Sequence, residues 1–421
     1  MIREPVLVLA FMLAVVAFAR WLEERYEAIK KISSAVVCTL LGITLANVGV
    51  IEHTGPVHEG VFTFAIPYAI VLVIMGTQLR ELAAAGRPLL VAYVAACVGS
   101  LIGGFAAGVT MSGWVGPETW KLAGAFSAAF AGGGMNFAAV GQGLDTDPST
   151  FAAAALADNL STVPYLLLQV WLAGALASVF LRRTRLAGAW ARTAADAEGD
   201  AVDEEAMRRR WTDSDMSITD LAILGALPLL ALWLARILTG ILPQIPEVLW
   251  LTTMALIVAQ LPWVRKLRGA EVLSYFALHI FFIVLGAASE LGRVVEAGAP
   301  IFTFMIAIIA VHMLVAYGIG WLLRVDLPTV SIASQAAIGG PGSALAIGMA
   351  MKWHRLVAPA VIVGIFGYAL GNYLGFSCAW LVQALVGEGR VSDPEAGDGF
   401  TLTLRQGRFA TEMLEETDVL V

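Results

Sequence analysis

Two glycine-rich stretches inside hydrophobic runs decide the fold, SAAFAGGGMNFAAVG at 127–141 and SQAAIGGPGSALAIG at 334–348. They align without gaps at an offset of 207 residues. A repeat with this period indicates a duplicated half of the chain. The two stretches are identical at six pairs of positions, Ser127/Ser334, Ala129/Ala336, Gly132/Gly339, Gly133/Gly340, Ala139/Ala346 and Gly141/Gly348.

A second motif follows each stretch in the same order. ALADNL at 155–160 faces ALGNYL at 369–374, and this alignment sets Asp158 opposite Asn372. Two motifs in the same order favour a duplication over chance similarity between small residues.

The glycines should interrupt the helices that contain them, near 132–136 and 339–343. Each Gly inside a helix is unfavourable relative to Ala, and Pro341 removes a backbone donor. Interrupted hydrophobic segments at corresponding places in two halves indicate a transporter site. The broken ends expose N–H and C=O groups that can hold an anion or a cation. The alternative is that the glycines only allow close helix packing.

The composition is typical of a membrane protein. The chain is 59% hydrophobic and 14% charged, whereas soluble domains are about 45–50% apolar and about 25% charged. Its mean hydropathy is +0.79, and its net charge of −7 argues against nucleic-acid binding. Continuous apolar runs favour helices over barrel strands. We therefore predict an all-α polytopic membrane protein with about 11–13 transmembrane helices.

Charge divides the chain into four parts. We expect a first transmembrane half at 1–180, a charged linker at 181–216, a second half at 217–387 and an acidic tail at 388–421.

Lys and Arg in short loops mark the cytoplasmic side. By this rule, segment 118–144 runs from outside to inside, segment 328–351 runs from inside to outside, and the tail lies inside. The Arg-rich linker should also lie inside by the same rule, but the predicted number of helices between the two halves does not allow this. One crossing between about 145 and 264 is therefore missing, spurious or misplaced.

Asp158 is a carboxylate inside an apolar run, where function is the default interpretation. The alternative is a position near the membrane interface, because Asp158 lies seven residues from the start of its segment. Asn159 and Asn372 join it as candidate ligands of a coupling ion, since oxygen donors suit a hard cation. The candidate substrate-binding residues flank the two glycine clusters and are Gly133, Gly134, Asn136, Gln142, Ser334, Gln335, Gly340 and Ser343.

Motifs of catalysis are absent from the sequence. There is no Walker A motif, metal-ligand cluster or nucleophile elbow, and the three cysteines lie in apolar runs without spaced pairs. We therefore predict neither an enzyme nor a bound metal or cofactor.

The motifs resemble those of the membrane family called domain of unknown function 819. The stretches that carry the resemblance are GGGMNFAAVGQGL at 132–144, ALADN at 155–159, SQAAIGGPGSALAIGMAMKW at 334–353 and VGIFGYALGNYLG at 363–375. GGGMN departs from the Gly-Gly-Ser-Xaa-Asn expected of the family, so a hydroxyl is missing at Gly134.

That family is similar to the superfamily of cation–proton antiporters and bile-acid-type sodium symporters. The resemblance implies two inverted repeats, crossing discontinuous helices and a core that moves against a scaffold. It also implies that Asp158 and Asn159 bind the coupling ion. The opposed charge directions agree with 127–144 and 334–351 crossing antiparallel near mid-membrane. We further expect 151–180 and 356–387 to pack against them.

These observations lead us to expect a multi-pass secondary transporter of the bacterial inner membrane. It would move a small organic solute, driven by a Na⁺ or H⁺ gradient, through alternating access. One alternative is a cation–proton antiporter without an organic substrate, and another is a non-transporting scaffold or receptor. The expected partners are the solute and membrane lipid, with no nucleic acid. The oligomeric state is left open, with a homodimer as one option.

Overall fold

A computed structural model describes residues 2–27, 29, 33–184 and 214–386 of the chain. The main elements in these ranges are fourteen helices, of which α4 is a single short turn. They are α1 (Pro5–Arg25), α2 (Ser34–Asn47), α3 (Pro56–Met75), α4 (Leu79–Leu82), α5 (Arg87–Val115), α6 (Thr119–Gly132), α7 (Gly134–Gly143), α8 (Pro148–Thr184), α9 (Ile218–Ile241), α10 (Glu247–Ala259), α11 (Ala270–Ala287), α12 (Leu291–Leu322), α13 (Leu327–Ala350) and α14 (His354–Val386).

Polar caps mark where several of these helices begin. The Glu4 carboxylate accepts from the first N–H groups of α1, and the Asp326 side chain accepts from the N–H of Thr329 in α13. Ser217 and Asp220 form a capping box at the start of α9. Each cap satisfies backbone donors that have no partner within the helix.

The predicted all-α polytopic architecture is confirmed. Within the described ranges, nine helices are long and apolar enough to span a membrane, and α2 and α10 are shorter apolar helices. A helix satisfies its own backbone in lipid, which explains why apolar runs of this length adopt it.

The helices form two repeats that run in opposite directions. Corresponding helices have similar lengths, 14 and 13 residues for α2 and α10 and 29 and 32 residues for α5 and α12. The counterparts α5 and α12 pack antiparallel, because Gly99 lies against His312 and Gly103 against Ile308. Without a Cβ these glycines allow backbone to approach backbone. The inverted repeat is therefore present.

The first glycine segment is a hairpin. It consists of α6 and α7, which are separated by Gly133. Lys121 Nζ, near the start of α6, donates to the carbonyl of Asp145 after α7 at 2.5 Å. The N–H of Asp147 donates to the Glu118 carboxylate at 2.9 Å. A straight helix would separate Lys121 from Asp145 by about 36 Å, so the chain enters and returns to the same face.

The second glycine segment, α13, reverses in the same way at Gly340. Gly340 is non-helical within α13, with φ 70° and ψ −165°. Beyond it, Ser343 Oγ donates to the carbonyl of Gln335 at 3.1 Å. A Cβ built on Gly348 would lie 3.1 Å from Cδ1 of Ile332. The second half of α13 therefore lies beside the first.

These hairpins correct one part of the predicted fold. The two segments are discontinuous, antiparallel and in contact, as expected, but they meet tip to tip and do not cross. The glycines adopt a backbone conformation that other residues avoid, and the chain uses it to reverse direction. Of the twelve apolar segments in the described ranges, the two glycine segments re-enter and the other ten are continuous helices. Eight of these ten have the length and hydropathy of a membrane span, and α2 and α10 are shorter.

Basic residues collect at one end of the bundle, which we call the basic face. They follow α1, precede α5 and follow α10, α12 and α13, and examples are Arg25, Arg87, Arg265, Arg324 and Lys352.

The hairpins also explain the missing crossing, which was wrongly expected between about 145 and 264: the segment that fails to cross is the first hairpin, α6 and α7. Near the end of α8, Phe180 packs against Tyr317, with ring centroids 6.4 Å apart, close to the end of α12 at the basic face. Met216, just before α9, packs on Gly269 at the start of α11 on the same face. The predicted linker therefore joins two helix ends on one side and needs no crossing. Residues 185–213 of this linker lie outside the described residues.

The expectation that the tail lies inside is wrong for its point of attachment. Val382, near the end of α14, packs against Gly108 in the last third of α5. This places the end of α14 on the face opposite the basic one. The predicted tail at 388–421 lies outside the described residues.

The helices pack into two bundles. We call α1–α3 with α9–α11 the scaffold, and α5–α8 with α12–α14 the core. As expected, α8 and α14 lie against the hairpins. A Cβ built on Gly371 of α14 would lie 2.8 Å from the carbonyl of Ala128, and Tyr165 Oη of α8 lies 2.5 Å from Ser334 Oγ.

Candidate functional site

The two hairpin tips touch in the middle of the bundle. Gly133 has φ 87° and ψ −179°, and Gly340 has φ 70° and ψ −165°, a conformation open almost only to glycine. A Cβ built on Gly133 would lie 3.7 Å from Cα of Gly340. Two helices end at the tips and two begin there, so the tips present both positive and negative helix ends.

A cavity of about 970 Å³ extends from the tips to the end of α1 at the basic face. It lies between the scaffold and the core. The core residues that line it include Gly133, Gly134, Asp158, Asn159, Thr162, Gly340, Gly342, Ser343 and Tyr368, and the scaffold residues include Arg20, Glu23, Glu24, Ser274 and Tyr275.

Among the residues that the structure describes, Asp158 supplies the one carboxylate at the tips. Its side chain is 6% exposed, and its Oδ2 lies 3.5 Å from a Cβ built on Gly134, the first residue of α7. Among the described residues we find no hydrogen-bond donor or cation bound to this carboxylate. An unpaired carboxylate at this depth is costly unless a cation or proton joins it.

Asn136 and Asn372 form a polar link behind the tips. Asn136 Nδ2 donates to the Tyr368 carbonyl at 2.8 Å and to Asn372 Oδ1 at 2.9 Å. Asn372 Nδ2 in turn donates to Thr252 Oγ1 of α10 at 2.8 Å. Both asparagines are buried and neither lines the cavity. They connect the first hairpin to α14 and the scaffold.

The other predicted substrate residues separate into two groups. Ser343 lines the cavity together with the tip glycines Gly133, Gly134 and Gly340. Gln142 lies at the far end of α7, where its Nε2 donates to the Phe62 carbonyl. Gln335 is fully buried and does not line the cavity.

Ser334 belongs to a buried network inside the core. Its Oγ lies 2.5 Å from Tyr165 Oη and 2.8 Å from His312 Nε2, and His312 Nδ1 lies 2.8 Å from Ser100 Oγ. These contacts satisfy the polar atoms of a buried histidine and tie α5, α8, α12 and α13 together.

The structural register of the repeat corrects the pairing of Asp158 with Asn372. Gly141 and Gly348 are repeat partners, and Phe151 packs on the first as Val357 packs on the second. This equates α8 with α14 at an offset of 206 residues.

A second pair of contacts has the same offset. Gly375 lies against Gly124, and Gln169 Nε2 donates to the carbonyl of Ser331, the repeat partner of Gly124, at 3.2 Å. The counterpart of Asp158 is therefore Gly364.

A charged cluster at the cavity mouth was missed by sequence reasoning. Glu23 accepts from Arg20 and, at 2.8 Å, from Ser34 Oγ. Ser34 Oγ also lies 2.8 Å from His279 Nε2 of α11. These residues come from helices far apart in sequence, and only the run of charges at the end of α1 hinted at the cluster.

In the part of the chain that the structure describes, no group of three or more His, Cys, Asp or Glu side chains could hold a metal ion. Cys38, Cys97 and Cys378 are free and buried.

Comparison with known proteins agrees with this architecture. The chain is 28% identical over 374 residues to a Bacillus subtilis (strain 168) protein described as "Uncharacterized membrane protein YjcL", covering 84% of this chain and 91% of that protein. The sequence pattern of DUF819, described as "Protein of unknown function", matches residues 10–385. The chain therefore belongs to the DUF819 family of membrane proteins.

Proposed function

We propose that the protein is a secondary active transporter that couples the movement of a small organic solute to a Na⁺ or H⁺ gradient. The observation that carries this proposal is an unpaired, buried carboxylate where the tips of two inverted hairpins meet, at the end of a cavity that reaches one face. Inverted repeats with discontinuous helices at their interface are the architecture of many secondary transporters.

Asp158 and Asn159 are the proposed ligands of the coupling ion. Both line the cavity, and Asn159 Nδ2 donates to the carbonyl of Ala155 at 2.8 Å on its own helix. That bond leaves the Asn159 oxygen as an acceptor for a cation. Carboxylate and amide oxygens suit Na⁺, and a carboxylate alone can carry a proton.

The positive-inside rule makes the basic face cytoplasmic, and we place the protein in a bacterial inner membrane. In this arrangement the cavity faces the cytoplasm. On the other side of the tips, Phe137 and Phe151 of the core pack with ring centroids 5.0 Å apart, and Phe151 lies 6.0 Å from Phe281 of the scaffold. Opening this side while closing the cavity would complete a transport cycle.

The test is uptake into proteoliposomes. A thermal-shift screen of small metabolites, with and without Na⁺, first identifies a solute, because a ligand of the folded state raises its stability. We expect uptake of that solute under an inward Na⁺ or proton gradient and its loss in Asp158→Asn, which keeps the shape but removes the charge. Wild-type uptake rates in Asp158→Asn contradict the coupling role. Proton-coupled cation flux without any solute favours an antiporter.

A further inference from the structure

The two hairpin tips differ in charge although they are repeat partners. The Asp158 carboxylate lies beside the start of α7 at the first tip. Its structural counterpart at the second tip is Gly364, and a Cβ built there would lie only 2.9 Å from the nitrogen of Pro341. No side chain fits at that position, so the carboxylate of the first tip has no equivalent at the second.

The second tip instead presents an open helix start. The helix of about ten residues that follows Gly340 begins with Pro341, Gly342 and Ser343. A Cβ built on Gly342 would meet nothing within 4 Å, and Gly342 lines the cavity. Ser343 Oγ donates toward the carbonyls of Gln335 and Gly340, both at 3.1 Å. Among the described residues, no acidic side chain caps this N-terminus.

We propose that this second tip binds an anionic group of the solute, a carboxylate or a phosphate, and that it does so once a cation or proton has neutralised Asp158. The proposal rests on the proposed function and adds the charge class of the solute. A helix N-terminus attracts anions through its free N–H groups and its dipole. Because the tips are in contact, the unneutralised carboxylate repels an anion at the second tip.

This arrangement makes coupling an electrostatic consequence of the repeat. The cation lowers the free energy of the anion on the neighbouring tip, and by linkage the anion raises the affinity for the cation to the same extent. An organic cation would gain nothing at the second tip. A neutral solute would not sense the charge of Asp158.

The test measures thermal unfolding of the purified full-length protein at neutral pH in buffer free of Na⁺ and other metal cations, with choline as the counter-ion. The probes are L-lactate, succinate, L-glutamate and inorganic phosphate, compared with lactamide and succinamide. We expect at least one anion, and neither amide, to raise the unfolding temperature of Asp158→Asn by several degrees. Wild type should respond at least threefold less.

Two substitutions at Gly342 test whether the second tip is the anion-binding site. Gly342→Asp adds a carboxylate at the second helical position after the tip and should remove the anion response in the Asp158→Asn background, whereas the uncharged Gly342→Asn should lose less of it. The matched control is Gly292→Asp, at the second position of α12, where a Cβ also meets nothing within 4 Å. The control should respond like its parent.

The outcomes separate this inference from the proposed function. If Asp158→Asn binds anions no better than wild type, if the amides shift it equally, or if no anion shifts it at all, the anionic class is wrong. Gradient-driven uptake of a neutral or cationic solute would then still support the transporter. If the anion response appears as expected but no gradient drives uptake in wild type, the site is real and the transport proposal fails.

Discussion

At the residue scale, similar amides near the tips have different roles. Asn136 is buried, and its Nδ2 joins the Tyr368 carbonyl to Asn372 Oδ1. Asn159 lines the cavity, and its side-chain bond within the described part of the chain goes to the carbonyl of Ala155 on its own helix. Sequence position suggested a solute contact for Asn136, but a buried donor between two acceptors is a structural tie. The amide that remains available to an ion is therefore the one beside Asp158.

This difference predicts opposite sensitivities to substitution. Asn136→Ala removes a donor from two buried acceptors and should lower the free energy of unfolding by about 1–3 kcal/mol. Asn136→Asp should cost more, since it places an acceptor opposite two acceptors. Asn159→Ala is the matched control and should stay within about 0.5 kcal/mol of wild type. Thermal unfolding in detergent measures all three, and equal losses for Asn136→Ala and Asn159→Ala would contradict the assignment.

At the element scale, the sequence was sufficient to locate the interruptions but not their geometry. A glycine cluster shows that a helix breaks, and the same residues permit a kink or a full reversal. The reversal depends on contacts between residues distant in sequence, such as that of Lys121 with Asp145.

The register error has a similar physical origin. ALADNL and ALGNYL resemble each other because small residues favour close packing in both helices. The packing of Phe151 and Val357 on equivalent glycines instead sets α14 eight residues from that alignment, about two helical turns. Local sequence similarity therefore assigned the second motif to the right helix but at the wrong position along it.

The hairpin predicts which ends of the segment are neighbours. With Lys121→Cys and Asp145→Cys in one chain, a short bismaleimide should cross-link the two thiols, because both ends lie at the same face. The native cysteines are buried and should react slowly. The control pair, Lys121→Cys with Lys352→Cys, joins opposite faces and should not cross-link. Mass spectrometry of the tryptic peptides reads out both, and a crossing helix would give no product for the first pair.

At the scale of the whole molecule, the two bundles meet differently on the two sides of the tips. Toward the basic face a cavity separates them. On the opposite side, Val248 of the scaffold packs on Gly143 of the first hairpin. Ser289 Oγ, after scaffold helix α11, also donates to the carbonyl of Pro148 at 2.9 Å. We call these contacts of Val248 with Gly143 and of Ser289 with Pro148 the seal. Because the seal joins scaffold to core, moving one bundle against the other is the simplest way to open it.

A disulfide across this seal should therefore stop transport. A Cβ on Gly143 would lie 2.9 Å from Cγ2 of Val248, close enough for Gly143→Cys and Val248→Cys to pair with small adjustments. We expect oxidation to abolish uptake and a reductant to restore it, because the pair holds the side opposite the basic face closed. The control is Gly108→Cys with Val382→Cys, a similarly close pair with both members in the core. It should form a disulfide without loss of uptake. Because both pairs introduce the same bond and differ only in whether it joins core to scaffold, equal uptake in the two oxidised proteins would show that the bundles do not move apart at this seal.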